Sequence, residues 1–225
     1  MDEAILKVKQ NSSIYCTIIT GENDRAFCAG ADLKERINMS DEQVIRAVTL
    51  ISKVATNIEE MPMPVITAIN GVAFGGGLEL ALASDLRIAA KHAIMGLTET
   101  SLAIIPGAGG TQRLARLIGL GQAKRLIFTA ARLDAEEAFR IGLVEQVVDS
   151  DELLRKAIEM AHQIANNGPV AIRQAKSAIH QGYQTDLATG LAIEHECYLK
   201  TIPTKDRMEG LLAFKEKRKP EYKGR

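Results

Sequence analysis

The sequence predicts an α/β fold, and three observations support that class. Short β-rich apolar segments alternate with segments of helical periodicity up to residue 149, as in folds whose strands are covered by helices. Only helical patterns follow residue 150. The chain has 225 residues, 46% of them hydrophobic, which is enough to bury a large core. We therefore expect an α/β core over residues 1–149 and a helical region over residues 150–225.

The predicted strands are short runs rich in β-branched and apolar residues. The first covers residues 13–20, and its continuously apolar end suits a strand that is buried on both faces. The same composition predicts strands at residues 65–69, 86–89, 93–97 and 143–148.

The predicted helices follow apolar residues spaced three and four positions apart. The first begins at a capping box formed by Ser40 and Gln43 and ends before Pro62. A glycine-rich turn then leads into a short helix near Leu78. Gly142 directly follows the helix predicted at residues 134–141 and is expected to end it. The remaining helices are predicted at residues 111–118, 122–130, 134–141, 153–165, 170–179, 185–198 and 206–217.

Composition excludes several functional classes. Lys and Arg number 28 and Asp and Glu number 28, so the chain lacks the positive charge of a dedicated nucleic-acid or membrane-surface protein. Its three cysteines are odd in number and form no C-x-x-C pair, which fits a reducing compartment. Neither a targeting segment nor a membrane-spanning run is recognised. We expect a cytoplasmic protein with a small partner.

The sequence lacks the glycine-rich motifs of nucleotide-binding proteins, the nucleophile motif of hydrolases and the residue spacing of zinc sites. Neither glycine-rich turn completes G-x-G-x-x-G, and no phosphate-binding G-x-x-x-x-G-K-[ST] or nucleophile elbow G-x-S-x-G occurs. The histidines lack zinc-ligand spacing, so no metal is predicted and all four are expected to be structural or surface residues: His92, His162, His180 and His195.

A carboxylate within an apolar helix is the strongest sign of chemistry. Glu79 follows Gly75, Gly76 and Gly77 and stands among Leu and Ala. A buried carboxylate is costly unless it is paired, protonated or used. The glycines permit close approach of a ligand, and the start of a helix attracts negative charge. Glu79 is therefore a catalytic candidate beside an anion site. The alternative is that the glycines only turn the chain and that Glu79 points into solvent.

A second acid, Glu99, lies twenty residues after Glu79 and precedes another glycine-rich turn. Two carboxylates beside such turns could move a proton at carbon while backbone N–H groups stabilise an enolate-like oxygen. The alternative is that Glu99 is an ordinary loop residue at the surface.

Three ordered motifs decide between these interpretations. They are residues 26–33 (AFCAGADL), residues 71–79 (GVAFGGGLE), and residues 95–99 (MGLTE) leading to residues 105–114 (IPGAGGTQRL). Together they resemble the enoyl-CoA hydratase/isomerase (crotonase) family, and the resemblance extends over the whole chain. Residues 202–207 and 210–218 most resemble the branch that contains methylglutaconyl-CoA hydratase.

The resemblance implies a fold and a set of site residues. The fold would be a crotonase-like spiral of ββα units, with the C-terminal helices building a homotrimer or hexamer. The backbone N–H groups of Ala31 and Gly76 would form an oxyanion hole for an acyl-CoA thioester. Glu79 and Glu99 would be the two catalytic acids, and Gly107 would position the catalytic water.

Further positions would contact coenzyme A, by the same resemblance. Ala29 and Lys34 would lie along it, whereas Phe214 and Lys217 would reach the coenzyme A of a neighbouring subunit. No cofactor is implied, because coenzyme A is part of the substrate. Family chains carry a strand, a turn and a longer helix before the position of Met1, so we expect part of the N-terminal coenzyme A-binding side to be missing.

The expected function is therefore that of an enoyl-CoA hydratase, with methylglutaconyl-CoA or another branched or short-chain thioester as substrate. Three alternatives remain open: a Δ3,Δ2-enoyl-CoA isomerase, an RNA-binding protein and an inactive truncated member. The sequence does not give the directions of the candidate acyl-pocket residues, which are Phe74, Leu78, Leu97, Ile104 and Ile105.

Overall fold

A computed structural model describes residues 1–225 and confirms the α/β class. The chain forms two compact units, each made of separate segments. The first unit comprises residues 1–6, 18–60 and 65–158, and the second comprises residues 7–17, 61–64 and 159–225. The proposed boundary between residues 149 and 150 stays a prediction.

Eight short strands form two sheets. In chain order the strands are β1 (Thr17–Thr20), β2 (Ala26–Cys28), β3 (Val65–Ile69), β4 (Val72–Phe74), β5 (Leu86–Ala90), β6 (Ile94–Gly96), β7 (Leu133–Asp134) and β8 (Gln146–Val148). One sheet has the order β1-β3-β5-β8 and the other the order β2-β4-β6-β7. Strands β3, β5 and β8 pair in parallel, as do β2, β4 and β6, whereas β7 joins β6 antiparallel.

From β1 to β6 the chain visits the two sheets alternately, which confirms the predicted ββα units. Strands β1 and β2, one in each sheet, precede helices α2 (Leu33–Ile37) and α3 (Asp41–Glu59), after the N-terminal helix α1 (Asp2–Gln10). Strands β3 and β4 precede α4 (Gly76–Leu82). Strands β5 and β6 precede a 3₁₀ helix (Glu99–Leu102), α5 (Gly110–Ile118) and α6 (Leu120–Phe128). Each unit therefore adds one strand to each sheet.

Every element after residue 149 is helical, as the sequence predicts. These elements are a 3₁₀ helix (Ser150–Glu152), α8 (Leu153–Ala165), α9 (Pro169–Gly182), α10 (Leu187–Leu199) and α11 (Lys205–Glu216). Helix α7 (Ala135–Arg140) lies between β7 and β8.

Two predicted helix ends are confirmed in detail. The Gln43 N–H donates to Ser40 Oγ (3.3 Å) and the Ser40 N–H donates to Gln43 Oε1 (2.8 Å), which completes the capping box of α3. Gly142 follows α7 with φ of 78°. The Leu143 N–H donates to the Ala138 carbonyl (2.8 Å), the bond of a Schellman motif.

Two predicted strands are shorter than expected, for local reasons. Strand β1 begins at Thr17 and not at residue 13, because the Asn11 side chain accepts hydrogen bonds from the backbone and hydroxyl of Ser13. Strand β8 begins at Gln146 and not at residue 143, because Leu143 still closes α7. The sequence also failed to predict β2, β4 and β7, which have only two or three residues each and carry little pattern.

The hydrophobic core of the first unit holds α4 against the strands and against α5. Leu78 is 2% exposed and Leu97 is 1% exposed, and both belong to one buried cluster with Leu114 of α5. A Cβ on Gly77 would lie 1.9 Å from the Cys28 carbonyl oxygen. Only glycine therefore lets the start of α4 lie directly on the end of β2.

Candidate active site

Three parallel strands deliver the predicted site residues to one edge of a sheet. Strand β2 pairs with β4, and Phe74 of β4 pairs with Gly96 of β6. Because parallel strands end at the same edge, residues 29–31, 75–77 and 97–99 emerge side by side. The Gly75 N–H donates to the Gly96 carbonyl (2.9 Å) and extends the pairing beyond the strands.

A cavity of about 560 Å³ opens at this edge within the first unit. Both predicted catalytic acids, Glu79 and Glu99, line it. Its apolar wall comes largely from α3 and from the segment after Glu99, through the side chains of Val44, Val48, Ile51, Leu102, Ile104 and Ile105. Two acids in an apolar cleft are the arrangement expected of an acid–base site.

Glu79 is a buried carboxylate that is paired with backbone donors. Its side chain is 3% exposed. The N–H groups of Ala108 and Gly110 donate to Glu79 Oε1 over 2.7 and 2.8 Å. These bonds hold Oε1 in place, and they leave Oε2 for a water or a substrate in the cavity. The alternative in which Glu79 points into solvent is wrong.

The turn that orients Glu79 is itself fixed. Arg113 of α5 donates through Nη1 to the Ala108 carbonyl (2.8 Å) and forms an ion pair with Glu59 of α3 (2.5 Å). Gly109 has φ of 97°, and a Cβ at this position would clash with the Arg113 guanidinium. Arg113 is therefore a positioning residue, which sequence reasoning did not single out.

Glu99 lies in a different environment from Glu79. It begins the 3₁₀ helix after β6, and its Oε2 is buried without a hydrogen-bond partner. Burial raises the pKa of the Glu99 carboxyl above its ordinary value, and the charge of Glu79 raises this pKa further. A backbone hydrogen bond and Arg36 lower the pKa in part. The alternative that Glu99 is a surface loop residue is wrong.

The two carboxyl groups can therefore take different roles. The N–H groups of Ala108 and Gly110 occupy one oxygen of Glu79, whereas burial raises the pKa of the Glu99 carboxyl. Environments that separate two neighbouring acids in this way assign one as base and the other as acid.

The raised pKa of Glu99 predicts how the stability of the fold depends on pH. The folded protein binds this proton more tightly than the unfolded chain, so the contribution is complete below the ordinary value of 4.5 and is lost as pH rises through the raised pKa. Ionisation of this side chain as pH rises therefore costs stability. We expect Glu99→Gln to melt at a higher temperature than the parent at neutral pH, with a difference that shrinks toward acidic pH.

Thermal unfolding of both proteins across a pH series measures this difference. The exposed Glu22→Gln provides the control, because it removes a carboxylate without relieving burial. A Glu99→Gln melting difference that stays constant from acidic to neutral pH would contradict the prediction.

The expected oxyanion donors are brought close together by the strand pairing. Gly76 is the first residue of α4, so its N–H has no acceptor within the helix. A Cβ on Gly30 would lie 2.9 Å from the Phe74 carbonyl oxygen and 3.6 Å from the Gly76 nitrogen, so the two segments touch. Ala31 and Gly76 both line the cavity. Their joint action as donors stays a prediction.

Of the other predicted site residues, two line the cavity and three do not. Ala29 and Gly107 line the cavity, whereas Lys34 is exposed on α2 outside its lining. In the second unit, Phe214 is 87% exposed and Lys217 ends α11 in the left-handed conformation. The coenzyme A contacts of these residues stay predictions.

The acyl-pocket candidates separate into two groups. Phe74, Ile104 and Ile105 line the cavity, whereas Leu78 and Leu97 belong to the core. The contribution of α3 was not predicted, although its positions 44, 48 and 51 follow helical spacing and could have indicated a second apolar face. Nor was Arg36, a cation in the cavity lining that no motif indicated.

The other residues examined in the sequence for metal or redox chemistry form no such site. The side chains of His, Cys, Asp and Glu nowhere form a group of three that could hold a metal ion. All three cysteines are free. His92 connects two loops through Ser150 Oγ (2.7 Å) and the Asp24 carbonyl (2.6 Å). None of the helices has both the length and the hydropathy that crossing a bilayer requires.

Comparison with known proteins connects this site to a family. A sequence model described as enoyl-CoA hydratase/isomerase matches residues 1–225. YngF of Bacillus subtilis (strain 168), which is named within the enoyl-CoA hydratases/isomerases, is 60% identical over 220 residues, covering 98% of this chain and 85% of YngF. Human mitochondrial methylglutaconyl-CoA hydratase is 54% identical over 228 residues, covering 100% of this chain and 67% of that protein.

A solved structure shows the same similarity in three dimensions. The crystal structure of an enoyl-CoA hydratase from Bacillus anthracis superposes with a TM-score of 0.98 at 56% identity. The match covers 100% of this chain and 87% of that chain.

Proposed function

The chain belongs to the enoyl-CoA hydratase/isomerase family, and we propose that its cavity adds water reversibly across the 2,3 double bond of an enoyl-CoA thioester. One observation carries the proposal: two glutamates with opposite environments, Glu79 and Glu99, line a single apolar cavity. The enzyme is a hydro-lyase, in agreement with the hydratase names of its relatives.

The site residues divide the reaction between them. The N–H groups of Ala31 and Gly76 hold the thioester oxygen, which polarises the double bond and stabilises the enolate that forms. The Glu79 carboxylate takes a proton from water as the water oxygen bonds to C3. The protonated Glu99 carboxyl donates its proton to C2. Water thus supplies the hydroxyl group, and the step leaves Glu79 protonated and Glu99 ionised. Return of that proton from Glu79 to Glu99 regenerates both side chains for the next turnover.

The presence of both acids favours hydration over the alternatives. An isomerase moves one proton between two carbons and needs only one acid, whereas two glutamates line this cavity. Binding of RNA is disfavoured by the balance of 28 basic and 28 acidic residues. Loss of activity by truncation is disfavoured because the cavity and both acids are in place.

The assay that tests this proposal is hydration by the 225-residue chain. We expect crotonyl-CoA and 3-methylglutaconyl-CoA to yield 3-hydroxyacyl-CoA products, measured by loss of enoyl thioester absorbance and by mass. A 3-enoyl thioester serves as the isomerase control. Absence of any hydroxylated product, or turnover of the 3-enoyl thioester alone, would overturn the proposed function.

Coenzyme A recognition, assembly and location follow as parts of the same proposal. The acyl-CoA substrate brings the only coenzyme, and Ala29, Lys34, Phe214 and Lys217 contact it. A homotrimer or hexamer is supported by exposed apolar side chains on the helices of the second unit: Ile179, Leu187, Leu191, Leu211 and Leu212. A cytoplasmic location is supported by three free cysteines.

A further inference from the structure

Arg36 is a charged residue in the cavity to which the reaction assigns no task. It lies on α2, four residues beyond the Asp32 N-cap, and its side chain lines the cavity together with Glu99. Its Nε is buried and has no hydrogen-bond partner. The side chain as a whole is half-buried. A buried N–H donor that lacks an acceptor is costly, and the guanidinium carries further donors beside it.

The acids nearby do not satisfy this guanidinium. Arg36 attracts Glu99 electrostatically, but it forms neither a hydrogen bond nor an ion pair with Glu99. Glu79 is already engaged by the N–H groups of Ala108 and Gly110. The fork of donors on Arg36 is therefore available to an anion that enters with the substrate.

The walls around Arg36 restrict what that anion can be. Leu33, Val44, Leu102 and Ile104 line the same cavity and are apolar. An apolar chain that ends in a carboxylate matches such a surface: the chain packs on the walls and the carboxylate takes a bidentate bond from the guanidinium.

The neighbours of Arg36 favour an anion on the acyl part of the substrate. Ala31, the proposed thioester donor, precedes α2, and Arg36 is the fourth residue of that helix; both line the cavity. Glu99 interacts electrostatically with both Glu79 and Arg36. A substrate whose oxygen is held near Ala31 and whose C2 and C3 face the glutamates thus extends its distal end toward Arg36.

We propose that Arg36 binds a carboxylate at the distal end of the acyl group, so that the enzyme selects enoyl thioesters of dicarboxylic acids. This inference rests on the proposed function and names the substrate class of that site. Arg36 is in this assignment a specificity residue that contacts the substrate.

The test compares two substrates of similar length, glutaconyl-CoA and trans-2-hexenoyl-CoA, with the parent and Arg36→Gln. We expect kcat/KM for glutaconyl-CoA to fall about 10- to 100-fold, the loss expected for a hydrogen bond to a charged group. For hexenoyl-CoA we expect a change below about threefold, because its distal end has no charge. Arg36→Lys keeps the positive charge but cannot form the bidentate bond. Its kcat/KM for glutaconyl-CoA should therefore fall less than that of Arg36→Gln.

Arg46→Gln is the matched control. It removes a positive charge from the neighbouring helix α3, where the Arg46 side chain is 78% exposed and pairs with Glu42. We expect it to leave kcat/KM for both substrates unchanged. Thermal melting of each variant confirms that the fold is retained.

The outcomes separate this inference from the proposed function. An equal fall for both substrates would overturn it, because Arg36 would then act through Glu99, through coenzyme A or through the fold. Hydration of hexenoyl-CoA but not of glutaconyl-CoA by the parent would also overturn it and would leave the hydratase assignment intact. Hydration of neither substrate would overturn both.

Discussion

Replacing Glu99 with Gln is expected to lower kcat for hydration of crotonyl-CoA by about 10³-fold, within the range for loss of a general acid. The amide matches the carboxyl in size but has no proton to give to C2. Affinity for the thioester should change little, because the N–H groups of Ala31 and Gly76 are untouched. Stopped assays give kcat, and calorimetric titration with a non-reacting acyl-CoA gives the Kd.

Two comparisons make the Glu99 result specific. Glu22→Gln changes an exposed glutamate in a loop and should retain parental kcat. If Glu99→Gln also gains thermal stability at neutral pH, the activity loss is not caused by unfolding. Turnover by Glu99→Gln within about tenfold of the parent would remove Glu99 from the acid role.

Replacing Gly30 with Ala is expected to lower kcat by about 10²-fold or more, the loss expected when one oxyanion donor is displaced. Gly30 has φ of 92°, and its new Cβ would lie 2.9 Å from the Phe74 carbonyl oxygen. The contact forces apart the two segments that carry the Ala31 and Gly76 N–H groups. Glu99 lies on another segment, and Glu79, one turn into α4, is held by the Ala108 and Gly110 N–H groups. We therefore assign the expected loss to the oxyanion donors.

Gly142→Ala is the control for backbone strain. Gly142 has a similar φ of 78°, but a Cβ there would meet nothing within 4 Å. Both variants should lose stability of about 1 kcal/mol from the left-handed backbone, and only Gly30→Ala should lose activity. Equal kcat values for the two variants, measured below their melting temperatures, would contradict the pairing of Ala31 with Gly76.

The proposed separation of roles between the two acids rests on their surroundings. Glu79 and Glu99 are chemically identical, but one accepts two backbone N–H bonds and the other has a buried oxygen without a partner. A water between them would therefore meet a base on one side and an acid on the other. The two glycine-rich turns supply this difference: the first carries Glu79 on α4, and the second supplies its donors.

The sequence by itself determined the α/β class, the helical C-terminal region and both candidate acids. Periodicity is a local property, so α3 with its Ser40 cap could be recognised from neighbouring residues. An acid among apolar residues is also visible locally, which made Glu79 a candidate before its partners were known. The specific motifs added the family, and the comparisons confirmed it.

Only the tertiary structure decided which residues meet. Strands β2 and β4 are three residues long and carry no recognisable pattern, yet their parallel pairing brings Gly30 against Phe74 and Gly76. The donors to Glu79 lie 29 and 31 residues away along the chain. Arg36 gave no signal because a lone arginine is usually at the surface. Its importance comes from an apolar cavity built by distant segments, and contacts between distant segments leave no periodic trace in a single sequence.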